Sequence, residues 1–588
     1  MKILLTCLLA FVGLTLYGQP VTPFLTIETG MHKARISQTS ADASGRYILT
    51  GSEDKTARLW DAETGVLLNT LRIPVAPGDE GKVAACALSP DGKIAALGGI
   101  TGYEWDEKFS IYLVSTQTNE IIFRIKNIPG PISDLEFSPD GKCLASVNSD
   151  SNLEIYDTRN WLLSSTVKGV SGISFDITNR IAAFSIIDKT VKLFDSKLKL
   201  IAETTVDYMP WAVSFSADNK LLAISSYNYP IAVEVRNAYD LSLLYKPNTD
   251  NNFASIGTAF DKTSNKLYAW GSSGEANLVR RGEGAPVLRI WENNGQGSYT
   301  DITISENFTF LENAITLPGG KMVVLNNGEI VVINSTGKIF WHSTGNLSYG
   351  YGSQDHFRIN NTGTGIGFTP DFEPSFTFNV LKRQLLQEQS LSPPFSDNNN
   401  ITKITSWNSR IEGGPPVINQ VPANFVNETN EAIRAVDINQ DGREVVLAGF
   451  YYLIKADNKA NPIWGSPLPY VSLAVNISGD DKMVACLIGD GTIRWYSMKD
   501  GETLLTFYLH PDKKRWVLFT PFGYYDASPG AEDFLGWHLN NGPDKTPDFY
   551  PVSRFKEQFY RPDVIDAIFE TYNEEQAITL ADSRSTKK

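Results

Sequence analysis

DASGRYILTGSEDKTARLWD, residues 42–61, is the stretch whose reading decides the fold. It runs as a polar turn, an apolar strand, a second polar turn, an alternating strand, and an aromatic residue followed by Asp. The same order returns as SPDGKCLASVNSDSNLEIYD (138–157), FDITNRIAAFSIIDKTVKLFD (175–195) and NISGDDKMVACLIGDGTIRWY (476–496). Weaker copies follow SPDG at 89–92, SADN at 216–219, LPGG at 317–320 and NQDG at 439–442. Short strands with turn signals, repeated about every 40 residues, are the signature of four-stranded β-propeller blades. One blade cannot bury both of its faces. The nearly continuous apolar runs YILT, KIAALGG and LLAIS therefore need a neighbour on each side, packed around an axis.

Four residues of the first unit carry a more specific pattern: His32, four positions before Ile36, Thr50 in the second strand, Asp54 in the following turn, and Trp60 before Asp61. With them the chain resembles the WD-repeat family. The resemblance implies a buried hydrogen-bond network joining a loop His, a turn Asp, a strand hydroxyl and a strand Trp. The physics agrees, because a buried indole N–H, imidazole and carboxylate each need a partner. Other units keep only part of the set. Asp150, Asp188 and Asp490 supply the turn carboxylate, while Tyr156 and Phe194 replace the tryptophan, so those blades must rely more on packing.

The fold class expected is all-β, a WD-repeat β-propeller of roughly ten four-stranded blades at about 40–45 residues each. One ring typically holds about 4–8 blades, so two linked propellers are expected. The divisions drawn are a signal peptide at 1–18, an N-terminal propeller at 19–300, a second, divergent propeller at 301–515, and an aromatic-rich, irregular and helical C-terminal segment at 516–588. The likeness is weak between 300 and 425. The Pro-, Asn- and Gly-rich stretch from Asn360 to Asn430 reads as long loops or an insertion. A further insertion, SSGEANLVRRGEGAP, places Arg280 and Arg281 on a loop, where exposed arginines can grip a partner carboxylate in two-point fashion.

Composition narrows the function classes. With 42% apolar residues the chain has ample material for a core, and its formal charge of −14 lacks the clustered Lys and Arg that phosphate backbones or anionic membranes require. Lys2, the apolar run Ile3–Leu16 and Gly18 read as a secretory signal, implying an exported protein, periplasmic or secreted, with no membrane insertion after processing. Cys86, Cys143 and Cys486 each lie in an apolar strand-like run and read as small buried hydrophobes, with no disulfide or zinc spacing.

After the last repeat the sequence becomes dense in aromatics, Gly and Pro. WVLFT reads as a returning strand, GYYDASPG as a turn, and RPDVIDAIFE as a helix beginning behind Pro562. The elements Trp516, Gly523-Tyr524-Tyr525-Asp526, Gly536-Trp537-His538 and Arg561-Pro562-Asp563-Val564 resemble the segment that joins a WD-repeat propeller to a caspase-like cysteine peptidase in bacterial secreted multidomain proteins. The peptidase itself needs a His-Gly pair and a cysteine followed by small residues. None of the five histidines precedes Gly and no Cys lies beyond Cys486. The resemblance is therefore to the non-catalytic half.

Other chemistry is thin. His538 in LGWHLNNG is the most suggestive single residue, but one histidine without partners reads more simply as packing. Asp437, Asn439, Asp441 and Gly442 open like a calcium loop, yet Ala448 stands where the bidentate Glu belongs, so a strand-joining turn is favoured. No catalytic residues, metal ligands or cofactor are expected. The sequence points to a non-enzymatic scaffold that binds a protein or peptide, possible contacts being Arg280, Arg281, Trp516, Tyr524, Tyr525, Trp537 and His538. A separately encoded caspase-like peptidase is the sharper partner expectation. The opposing reading is a hydrolase with its site in a propeller's central funnel.

Overall fold

The computed structural model describes residues 23–226, 233–249, 253–273, 285–304, 311–326, 328–334, 336–347, 349, 353–371, 373–388, 404–405, 415–428 and 431–586. The signal segment, Arg280 and Arg281 lie outside them. No helix among the described residues is long and apolar enough to cross a membrane.

The turn that opens each repeat forms for a local chemical reason. In SPDG, Ser89 Oγ donates to Asp91 (2.7 Å) and accepts the Ile94 amide (2.9 Å), and Gly92 takes a left-handed φ of 72°. Ser138, Ser216 and Ser478 repeat this hold on Asp140, Asp218 and Asp480. One side chain thus closes the turn and seeds the next strand.

Seven four-stranded antiparallel sheets follow one another as blades 1 to 7, at 36–72, 82–128, 132–168, 172–205, 210–245, 253–302 and 313–343. The first strand of each blade meets the first strands of its neighbours, so first strands are innermost. Every adjacent pair shares an apolar cluster. Leu49 and Leu59 meet Cys86 and Leu97 between blades 1 and 2, and the pattern repeats around to blades 6 and 7. The circle then closes, because Ile36, Ile48 and Trp60 of blade 1 pack against Val323, Leu325 and Val332 of blade 7. The dividing line drawn at 300 from sequence falls within Tyr299–Ile302, the last strand of blade 6.

A second set of sheets follows: blade 8 at 357–388, a three-stranded sheet at 404–422, blade 9 at 435–467, and a six-stranded sheet at 472–527 whose first four strands are blade 10. Blade 10 packs on blade 9 through Val475 and Val484, and on blade 8 through Met483 and Trp495. Ile404 and Ile418 of the three-stranded sheet pack on blade 9. Part of the stretch expected as loops is thus sheet: Gly365–Phe368, Ser375–Asn379 and Gln384–Glu388 are strands. The alternating Phe368, Phe376 and Phe378, all buried, are what drive that sheet together.

The segment after 515 joins the body. Trp516–Phe519 extends blade 10 as a fifth strand, and Tyr525–Ala527, expected as a turn, adds a sixth. Leu535–Leu539 forms the centre of a separate three-stranded sheet between Asp548–Pro551 and the N-terminal strand Phe24–Ile27. The helix Pro562–Thr571 starts on its proline and buries Val564, Ile565 and Ile568 against blades 8 and 10. A second helix, Glu574–Ser585, is capped by Asn573, whose side chain accepts from the Gln576 amide.

Candidate functional site

Blade 1 holds a continuous relay of hydrogen bonds. Trp60 Nε1 donates to Thr50 Oγ1 (2.9 Å), Thr50 Oγ1 lies 2.8 Å from His32 Nε2, and His32 Nδ1 lies 2.9 Å from Asp54 Oδ2. The bonds share one sense if the neutral imidazole carries its proton on Nδ1, so that each group donates to the next. Burial disfavours charge on His32 and keeps its pKa low, more than offsetting Asp54's pull. For Asp54 the balance reverses. Burial would raise its carboxyl, but His32, Arg58 and the Thr56 hydroxyl (2.6 Å) outweigh it and hold the group well below the usual range. Around the relay, Glu28 pairs with the buried Arg58 (2.8 Å) and with Arg72.

Innermost strands leave amides facing the axis, and side chains of neighbouring blades take them up. Gln38 of blade 1 accepts the Cys86 amide of blade 2 (2.9 Å) and donates to Asp134 of blade 3 (2.7 Å). Asp134 and Glu136 accept the Ile173 and Phe175 amides of blade 4. Ser214 and Asp437 do the same for Phe260 and Ile477. The carboxylates nearest the axis therefore already serve as backbone acceptors. Burial, with Asp134 alongside, pushes Glu136 up to about 8. Asn439, in the calcium-like stretch, accepts the Arg443 and Glu444 amides, which makes that stretch a turn.

Residues 26–61 and 123–157 match the WD40 family, described as WD domain, G-beta repeat. The Periodic tryptophan protein 2 homolog of Schizosaccharomyces pombe is 28% identical over 147 residues, 25% of this chain and 16% of that protein. Eukaryotic translation initiation factor 3 subunit I of Culex quinquefasciatus is 31% identical over 137 residues, 21% and 39% of the two chains. The guanine nucleotide-binding protein subunit beta of Nicotiana tabacum is 30% identical over 131 residues, 21% and 32%. The similarity thus spans well under half the length of these relatives.

The chain carries WD40 repeats. Repeat and blade are out of phase. The match at 123–157 begins in Ile121–Ile128, the outer strand of blade 2, and ends with Asn152–Asp157, the third strand of blade 3. The match at 26–61 begins within Phe24–Ile27, a strand that lies outside blade 1. Blade 7 already owns four strands, so this leading strand pairs with Leu535–Leu539 instead.

That pairing relocates the residues expected to meet a partner. Trp516, Tyr525, Trp537 and His538 are buried, Trp537 to 5% exposure, and Tyr524 is half-buried. They are core because the returning strands and the N-terminal strand cover them, and the expectation that they form a contact surface is corrected accordingly. Trp537 packs against Phe559, with ring centroids 4.5 Å apart, and His538 stacks on Phe24 at 5.1 Å. His538 Nε2 lies 3.0 Å from Asn540 Oδ1, and burial depresses its pKa to about 4.

Residues outside any repeat pattern hold the parts together. Asn346 donates to the Lys33 carbonyl (2.6 Å) and the Asp490 carbonyl (2.8 Å), and accepts from Tyr508 (2.8 Å), joining blade 1 to blade 10. Arg383, on the blade 8 turn, binds Asp526 and Asp566, both at 2.6 Å. It lines an open cavity of about 540 Å³ with Leu381, Trp516, Ser528 and Tyr560. Neither residue carries a sequence signal, since each acts across elements remote in the chain.

Proposed function

We propose that the chain is a non-enzymatic scaffold that binds a protein or peptide partner. The observation that carries this reading is the use made of the ring's inward polar groups. The His32 relay ends within blade 1, and Asp134 and Glu136 are taken up by amides of blade 4. What the ring offers outward is a rigid frame bearing loops, the arrangement that suits recognition. Turnover of ester, glycoside or peptide substrates by the purified chain, abolished by Glu136→Gln, would overturn this reading in favour of a hydrolase.

The finer reading is an exported scaffold, on the strength of residues 1–18, working beside a separately encoded caspase-like peptidase, on the likeness of the C-terminal segment. Since Trp516, Tyr525 and Trp537 are covered, such a partner would meet the exposed Phe522 and Tyr560. Mixing the two purified proteins tests it. No complex at micromolar concentration would count against the peptidase as partner.

A further inference from the structure

The seam between blades 1 to 7 and the rest of the chain is built differently from the blades themselves. Each apolar cluster of blades 1 to 7 draws all its members from before residue 344. The clusters of blades 8 to 10 draw theirs from beyond it. Leu25 and Ile27, in the tail-sheet cluster, are the exception. Elsewhere along the seam, among the described residues, the side-chain contacts centre on polar and charged groups.

The tail supplies one side of this seam. Leu535, Trp537 and Val552 pack with Tyr508 and Val517, so the tail sheet is fused to blade 10 by apolar contact. From that sheet the loop 540–546 reaches back to blade 2 and to the link before it. Asn540 accepts the Val75 amide (3.2 Å) and donates to the Val75 carbonyl (2.7 Å). Thr546 Oγ1 accepts the Ile121 amide (2.7 Å), and the Pro543 carbonyl accepts from Arg124 (3.0 Å). Asp544 lies 3.0 Å from Arg124 Nε and 2.9 Å from Lys126 Nζ, and nearby Arg72 sits 4.0 Å over the Phe549 ring. Asp544 is more than half exposed, so water and salt compete for its hold. Arg124 keeps Asp106 as a second partner, so losing Asp544 strands no buried charge.

The chain itself crosses the seam after Ile27 and again after Ser343, and the two crossings touch. Asn346 donates to the Lys33 carbonyl (2.6 Å), and Thr344 donates to Met31 Sδ (3.6 Å). Gly30, at a φ of 77° with open space around it, gives the first crossing a residue that can turn. The crossings adjoin blades 1 and 7, whereas the loop 540–546 grips blade 2. On the same seam Lys82 lies 5.1 Å over the Tyr470 ring and 2.6 Å from Asp79. Tyr451 is 44% exposed there, its hydroxyl pKa raised first by burial and then by Asp79.

We propose that blades 8 to 10 and the tail swing against blades 1 to 7 about the Lys33–Asn346 contact, and that the loop 540–546 is the clasp holding the closed position. Release of the clasp leaves every blade's apolar cluster intact, keeps Phe24–Ile27 in the tail sheet, and widens the gap lined by Asp79, Lys82, Tyr451 and Tyr470. Few residues absorb such a motion when the moving bodies are each packed and the joint is polar. The hinge goes beyond the scaffold reading, since it gives the molecule two shapes.

Hydrogen exchange and small-angle scattering on the full-length chain test it. The Val75 and Ile121 amides are held by the two ends of the clasp, so opening exposes both together. Asp544→Ala removes a side chain that bonds to neither, yet it should quicken exchange at both by about fivefold, the worth of an ion pair of this kind. Asn540→Ala should quicken Ile121 by about tenfold through the same coupling. Molar salt should speed both amides in the unaltered chain. The double variant should also show a larger radius of gyration. Unchanged exchange in Cys143–Asn148 and Met483–Ile488 would show that the variants fold, and Lys126→Ala, at an exposed position, serves if they do not. Quickening of Ile121 alone in Asp544→Ala would mean that the loop frays locally, which overturns the proposal. Coupled exchange with an unchanged radius of gyration would mean that the clasp releases without a swing, and overturns the hinge as well.

Discussion

Leu25 pairs with Trp537 across an antiparallel ladder, and both are buried in one cluster with Tyr508, Val517, Tyr525 and Val552. A strand at the head of the first WD40 repeat is thereby given to the end of the chain. The next residue, Glu28, enters the ion pairs with Arg58 and Arg72 beside the His32 relay. The tail and the first blade are thus built on the same few residues. Loss of the tail sheet should be felt in blade 1.

Trp537→Ala tests that coupling. Emptying a tryptophan from a packed cluster costs about 3–5 kcal/mol, whereas Phe522→Ala, at an exposed position, should cost under about 0.5 kcal/mol. Urea unfolding distinguishes the two. Equal, small effects would mean that Trp537 is not core.

Thr50→Val keeps the shape of the side chain and removes its hydroxyl. Trp60 Nε1 then loses its acceptor and His32 Nε2 its partner, each a buried group costing about 1–3 kcal/mol when unmade. The variant should unfold at clearly lower denaturant, while Tyr156→Phe in blade 3, which removes the single bond from that hydroxyl to Glu154 (2.7 Å) seen among the described residues, should lose less. Indistinguishable midpoints would show the relay to be dispensable.

The relay was legible in the sequence because its members lie close in the chain and recur at fixed offsets within one repeat. So were the SPDG turns, each closed by local bonds. Blade 8 was not, since its strands carry Gly, Thr and Asn among the phenylalanines and its third strand ends Phe378-Asn379 in place of aromatic-Asp. The fate of Trp516 and Trp537 was also hidden. An aromatic residue dense in Gly and Pro surroundings looks alike whether it faces a partner or a strand from the other end of the chain.

His538, which is buried, and Glu136, which is partly buried, give stability opposite pH slopes. His538 falls from its ordinary 6.5 to about 4, through burial first and then the nearby Arg72 and Lys55, against the bond to Asn540. Its contribution is whole above pH 6.5 and is lost as pH drops toward 4. Glu136 rises from 4.5 to about 8, so its contribution is whole below pH 4.5 and is lost as pH climbs toward 8. Melting temperature across pH should therefore decline on both sides. His538→Gln should flatten the acid side and Glu136→Gln the alkaline side. A variant that leaves its own side unchanged refutes that residue's part.

Asn346 makes the sharpest test of how the two sets of blades are joined, because it bonds to Lys33, Asp490 and Tyr508 together. Asn346→Ala leaves two carbonyls and a hydroxyl without these partners, at about 1 kcal/mol apiece if water replaces them poorly. None of those groups belongs to a blade's internal ladder, so each set should keep its own fold. Hydrogen exchange should quicken at 31–35 and 488–492 while the strands of blades 3 to 5 stay protected. Should protection fall across blades 3 to 5 as well, the ring would depend on this junction for its fold. If exchange at 31–35 did not change, the contact through Asn346 would not be what holds blade 1 to blade 10.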